Sequence, residues 1–268
     1  AAVGRSGSPG SGTGVQARGW GDTTAEVLFV TGAQPGAPLT LAQKPKPQGD
    51  TYISRRSGAP GTLNYFATRE GATTTVSKFS LESLIEVDPD KPPGVIAALA
   101  TEWEVSDDKL TYTFHLRKGV RFADGRPFTS ADVAFSFDVI RDPAVNADHL
   151  RSNFEDVVSV ETPDDHTVVV RYRKPYWRGV YSVGSTLRVL NKGWVQEQIP
   201  GIAAAFDLAD ASIEPGQPGF GEAFNSIRVV PPGTGPYYFA EDRYDPKKPV
   251  ELLQNPFWWG IQVRPEWH

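Results

Sequence analysis

Few side chains in this 268-residue chain are spaced for chemistry. It has four histidines, His115, His149, His166 and His268, and no cysteine, which removes thiol nucleophiles and thiolate metal sites. His166 follows Asp164 and Asp165, a trio able to hold a metal weakly, but the same string makes a tight turn. Glu102 and Glu104 are a carboxylate pair of the kind a glycosidase uses when two acids converge across a cleft. Their alternate spacing instead places both on the solvated face of one strand. Gly216, Gly219 and Gly221 approach a dinucleotide loop, but Pro218 interrupts them and no apolar strand leads in. Gly10 to Gly14 lacks flanking elements and reads as linker. Arg171, Arg173, Lys174 and Arg178 can receive the carboxylate of an acidic ligand, or simply line a solvated strand edge. No Gly-x-Ser-x-Gly elbow, His-Glu-x-x-His string or Walker loop occurs. The inventory offers no catalytic residue, no metal ligand set and no cofactor site.

The elements that must position these residues are clearest between Leu99 and Phe137. Leu110, Tyr112, Phe114 and Leu116 alternate with Thr111, Thr113 and His115, which predicts a half-buried strand. Trp103 and Val105 alternate with Glu102, Glu104 and Ser106 before it. Ser106-Asp107-Asp108-Lys109 supplies the reversal between the two strands. Asp124-Gly125 makes a second turn. Thr129 and Asp132 have capping-box spacing, with the acid at the positive helix end. Val133, Phe137 and Ile140 follow at helical spacing. Elsewhere, residues 73–86 read as a helix and residues 192–206 as a helix broken at Pro200. Thr167–Tyr172 reads as a strand after a turn at Pro163 to Asp165. Residues 51–54, Ile227–Val230, Tyr237–Ala240 and Val250–Gln254 read as further strands. Glu26–Val30 is a short strand or a hydrophobic contact.

Composition sets the broad class. Hydrophobic residues make up 39% and charged residues 22%, ordinary for a globular protein that buries a core. A net charge of −5 argues against a nucleic-acid surface. No apolar run reaches the ~20 residues of a membrane span. The opening Ala-Ala-Val-Gly-Arg lacks a signal-peptide pattern, so a processed or trimmed chain is expected. Methionine is absent. Residues 1–21 and 34–49, rich in Gly, Ser, Pro and Lys, read as flexible tether.

Taken in order, the string from Leu99 to Phe137 resembles the signature region of the family 5 extracellular solute-binding proteins, the peptide receptors of bacterial ABC importers. Gly233-Thr234-Gly235-Pro236-Tyr237 resembles a second motif of that family, and Asn255-Pro256-Phe257-Trp258-Trp259-Gly260 a third. Gly58 to Phe66 resembles its first strand-to-loop passage, with Tyr65 where Pro is usual. The resemblance covers roughly residues 50–264.

It implies an α+β fold with mixed sheets, like the type II periplasmic binding proteins. Residues 1–49 are then a tether. Residues 50–65 plus 177–268 form a first lobe, residues 66–176 an inserted subdomain, and the second lobe is missing. Function follows as an expectation: non-covalent capture of extracellular peptides for the permease of an ABC importer, by an exported, monomeric protein. The protein is expected in the periplasm or on the outer face of the cell membrane. The alternatives are a receptor of the same fold for a metal, haem, sugar or signal, and a secreted hydrolase. The expected ligand contacts are Thr62, Leu63, Asn64 and Tyr65 in the early loop, with Trp177, Arg178 and Tyr181 near the hinge.

Overall fold

The computed structural model describes residues 24–30 and 52–57 by their backbone, and residues 60–88, 94–176, 179–208, 211–240 and 244–260 in full. The tether stretches 1–21 and 34–49, with Trp177 and Arg178, lie outside the described residues.

Strand β1 (Thr24–Val30) confirms the strand reading of Glu26–Val30, and β2 (Tyr52–Ser57) follows. Helix α1 (Gly71–Ser80) leads into β3 (Ile85–Val87) and its partner β4 (Val95–Ala97). The signature region supplies β5 (Ala100–Val105), β6 (Thr111–Leu116) and α2 (Ser130–Arg141). After α3 (Asp148–Arg151) come β7 (Val157–Asp164) and β8 (Thr167–Tyr172). The chain continues through α4 (Gly179–Tyr181), α5 (Lys192–Ala205), α6 (Phe220–Asn225), β9 (Tyr237–Phe239) and β10 (Val250–Gln254). One sheet has the order β2-β1-β10-β9, with β1 and β10 parallel, and another the order β5-β6-β8-β7, antiparallel throughout.

The predicted alternation holds in β6: Tyr112, Phe114 and Leu116 are buried, while Thr111, Thr113 and His115 are half-buried. Helix α2 buries more than the predicted stripe. Phe135 and Val139 are buried along with Val133, Phe137 and Ile140, because the helix is packed on two sides. Phe137 meets Phe154 edge-on, and Phe135 meets Phe220 of α6. The Asp132 carboxylate accepts from the Thr129 backbone N–H at 2.9 Å, the reach-back half of the capping box. Its other oxygen accepts from the Lys192 N–H at 3.0 Å. One buried carboxylate therefore caps two helix N-termini, and burial raises its pKa against those bonds.

Three expectations change. The helix predicted over 73–86 runs over 71–80 instead. Leu81 is extended and caps it, and the Ser83 hydroxyl bonds the Ile85 carbonyl at 2.8 Å, so Ile85 opens a strand. Helix α5 passes through Pro200 without breaking. Trp194, Val195, Ile199 and Ala203 are buried on both sides of the proline, and that packing outweighs one lost backbone bond. Ile227–Val230 is not a strand. Its Arg228 carbonyl accepts from the Leu63 N–H, and Pro231 and Pro232 follow, which donate nothing to a ladder.

Candidate functional site

Two motifs, Gly233 to Tyr237 and Asn255 to Gly260, meet at the end of α1. Asn255 is fully buried. Its amide donates to the Gly235 carbonyl at 2.9 Å, its side-chain oxygen accepts from the Phe257 N–H at 2.9 Å, and its backbone N–H donates to the Pro236 carbonyl at 2.8 Å. The Gly235 N–H in turn donates to the Ser80 carbonyl at 2.9 Å. A Cβ on Gly233 would overlap that same carbonyl, so glycine is required for the approach. The joint fixes where the two tryptophans after Asn255 fall.

They fall on Glu82, in the loop after α1. Trp259 Nε1 donates to one carboxylate oxygen at 2.7 Å, and Trp258 Nε1 to the other at 3.3 Å. The Arg117 guanidinium lies 4.2 Å from the centre of the Trp259 ring, a cation–π contact. Arg188 donates to Glu86 at 2.8 Å and to the Leu81 carbonyl at 3.2 Å, and the Val189 N–H donates to the Glu82 carbonyl at 2.9 Å. Burial pushes the Glu82 carboxyl up to about 7, against the pull of the Trp259 and Trp258 hydrogen bonds. The neighbouring Glu86 charge adds to the rise. Both tryptophans are buried in the main core cluster, so these bonds tie the loop after α1 to the segment after β10. The register pairs Val30 with Leu253, so β1 and β10 end at the same sheet edge, and the tryptophans follow β10 there. Ligands bind beyond the carboxyl ends of parallel strands.

The expected contacts divide. Thr62, Leu63 and Asn64 are buried and occupied. The Asn64 amide donates to the Phe224 carbonyl at 3.0 Å, Asn64 Oδ1 accepts from the Phe66 N–H at 3.1 Å, and the Thr62 carbonyl accepts from Thr73 at 2.6 Å. These three build the loop. Tyr65 stays half-buried, edge-on to Phe66, and its hydroxyl pKa is raised by burial with Arg188 pulling it down. Tyr181 is half-buried at the end of α4.

The other candidates have local uses. Arg171 pairs with Glu161 at 2.9 Å and Lys174 with Asp156 at 3.1 Å. The His166 N–H donates to the Asp164 carboxylate at 2.7 Å, a turn bond. Among the described residues no group of three or more His, Asp or Glu side chains is arranged to hold a metal, and no helix is long and apolar enough to cross a membrane. Sequence reading missed Glu82 and Arg117, and placed Trp258 and Trp259 only within a motif, not among the expected contacts. Only the paired tryptophans carried a signal, and nothing local names the acid they hold.

The pattern of the bacterial extracellular solute-binding proteins, family 5, matches residues 94–266. The chain belongs to this family. Its signature hairpin and both later motifs fall inside the match, and the joint at Asn255 is where they converge. A Brucella ovis relative, named as an ABC transporter peptide-binding protein, is 34% identical over 203 residues, covering 76% of this chain and 34% of the relative. The chain thus spans about a third of the length of the curated relatives it matches. Among solved structures, Helicobacter pylori DppA in complex with the peptide STSA aligns with a TM-score of 0.56 at 24% identity, covering 76% of this chain and 39% of that one. AgaA of A. tumefaciens R10, in complex with agropinic acid, aligns with a TM-score of 0.57 at 24% identity, covering 75% and 35%. These likenesses establish the mixed α/β fold of periplasmic binding proteins.

Proposed function

We propose that this protein captures extracellular peptides without covalent chemistry and delivers them to the permease of an ABC importer. The observation that carries the reading is the solute-binding family match over residues 94–266, together with a relative named as a peptide-binding protein. Half-buried aromatic side chains such as Tyr65 and Tyr181 give a peptide apolar contact at low entropic cost. Such contacts hold a ligand by favouring a closed state and need no turnover. The name of the Brucella relative supports the peptide as ligand class. Tyr65 and Tyr181 are the half-buried aromatics we assign as contacts, with Trp177 and Arg178, which shortly precede Tyr181 in sequence.

In this reading residues 1–21 and 34–49 are tether, residues 50–65 plus 177–268 form a first lobe whose sheet β1 joins, and residues 66–176 form an inserted subdomain. The protein acts as an exported monomer, in the periplasm or on the outer face of the membrane. Native mass spectrometry of the purified protein tests it. A set of excess masses matching short peptides is the expected result. A single discrete non-peptide mass would transfer the assignment to another ligand class. One relative is a haem-binding protein of Haemophilus influenzae, 29% identical over 178 residues, so a haem absorbance band is the specific alternative to check.

A further inference from the structure

A cavity of about 660 Å³ opens at one end of the β5-β6-β8-β7 sheet. Thr101 of β5, His115 of β6, Lys118 just after β6, and Asp165 and His166 of the β7–β8 turn line it. None of these residues belongs to the contacts assigned to a peptide. The volume is ordinary for a small-molecule site.

Backbone bonds hold the lining in place. In β5 the register slips between Ala100 and Glu102, so Thr101 is an extra residue without a strand partner. A bulge of this kind re-aims the side chain it carries. The Thr101 hydroxyl donates to the His115 carbonyl at 3.3 Å. Ser130, the first residue of α2, fixes the turn. Its hydroxyl donates to the Asp164 carbonyl at 2.6 Å, and its N–H to the Asp165 carbonyl at 2.9 Å. The Leu116 N–H donates to the His166 carbonyl at 2.7 Å. A lining fixed in advance loses little entropy when a ligand arrives.

Of the charges on this lining, one is spent and two are not. The Asp164 carboxylate accepts from the His166 N–H at 2.7 Å, and this bond, with that of the Thr167 side chain, holds its carboxyl below the ordinary value. Lys118 and Asp165 are exposed side chains of the same cavity. Neither has a side-chain hydrogen bond or an ion pair, with the other or with any other described residue. Two opposite charges thus share one cavity and stay unpaired. A simple anion there meets the Asp165 carboxylate, and a simple cation meets the Lys118 ammonium. A molecule carrying both charges satisfies both groups with charge-assisted hydrogen bonds.

We propose that this cavity is a second ligand site, which binds a free amino acid as its zwitterion. The α-carboxylate accepts from Lys118, the α-ammonium donates to Asp165, and the Thr101 hydroxyl lies beside them on the lining.

The test is an NMR titration of the full chain with alanine near neutral pH, read at the histidine ring protons. His115→Gln and His166→Gln assign the signals. We expect the His115 and His166 signals to move and saturate while that of His149, in α3, stays in place. Lys118→Gln and Asp165→Asn change exposed side chains and leave the backbone bonds of the turn intact. Each should weaken alanine about tenfold. Acetate and methylammonium carry one charge apiece and should bind more weakly by a similar factor. Unmoved His115 and His166 signals overturn the site, and so does unchanged affinity in both variants. Acetate or methylammonium binding as well as alanine overturns the zwitterion and leaves a pocket for a single charge.

Discussion

Two regions of this molecule hold the same kinds of residue and do different things with them. On the open face of the β5-β6-β8-β7 sheet, Glu104 lies 3.4 Å from His115 and Glu161 lies 2.9 Å from Arg171, all near water. The Arg171 and Ser159 hydrogen bonds hold the Glu161 carboxyl below its ordinary range. At the α1–β3 junction, Glu82 is desolvated among indoles and its carboxyl rises to about 7. Residue type is shared, so the environment makes the difference. Water screens the first set into a solubilising surface, while packing strips water from the second and raises its carboxyl.

The harshest way to break the comparison is to remove the packing that keeps the junction dry. Gly233→Ala sets a methyl against the Ser80 carbonyl, where backbone meets backbone and neither can yield cheaply. It should cost about 3–4 kcal/mol, read as a fall in denaturation midpoint, with Trp258 and Trp259 emission shifted to that of solvated indole. Asn255→Ala leaves the Gly235 carbonyl and the Phe257 N–H buried without their partner. We expect a loss of about 3 kcal/mol by urea titration.

A milder change sharpens the contrast. The folded Glu82 carboxyl sits at about 7 against an ordinary 4.5, so between those values the folded state holds more protons than the unfolded chain. Stability from this group therefore declines as pH rises through that window. Glu82→Gln should flatten the decline and gain about 2 kcal/mol relative to the native chain at the alkaline side, discounting the full shift for partial exposure. Urea midpoints collected on either side of the window check the sign, since a native chain that gains stability with rising pH there contradicts it. The smallest effect belongs to the open sheet. Arg171→Gln should leave the thermal midpoint unchanged within error, because both partners are more than half exposed, at 52% and 51%.

Much of the fold was legible because its signals are local. The period of two in Leu110–Leu116, the Thr129–Asp132 spacing and the glycine of the Asp124–Gly125 turn each act through neighbours in the chain. The strand over Thr167–Tyr172 was readable for the same reason. Local reading failed where a distant partner decided the outcome, and also where near neighbours outweighed the apolar pattern. Packing carried α5 through Pro200, whereas the Ser83–Ile85 bond and the adjacent Pro231 and Pro232 settled the segments around Ile85 and Ile227. The candidate site was legible only in its aromatic half. Thr62, Leu63 and Asn64 looked available, yet their polar groups are satisfied by Thr73, Phe66 and the 224–228 segment.

By itself the sequence determined the alternation, the caps and turns, the absence of thiol chemistry and the ordered motifs by which the family resemblance is read. Each depends on residues within a few positions of one another, where backbone geometry leaves little choice. Only the tertiary structure decided that Glu82 meets two indoles from residues 176 and 177 positions away. The pKa of that carboxyl depends on how much water the fold removes and which donors it brings in return, and neither quantity is written in any local stretch of the chain.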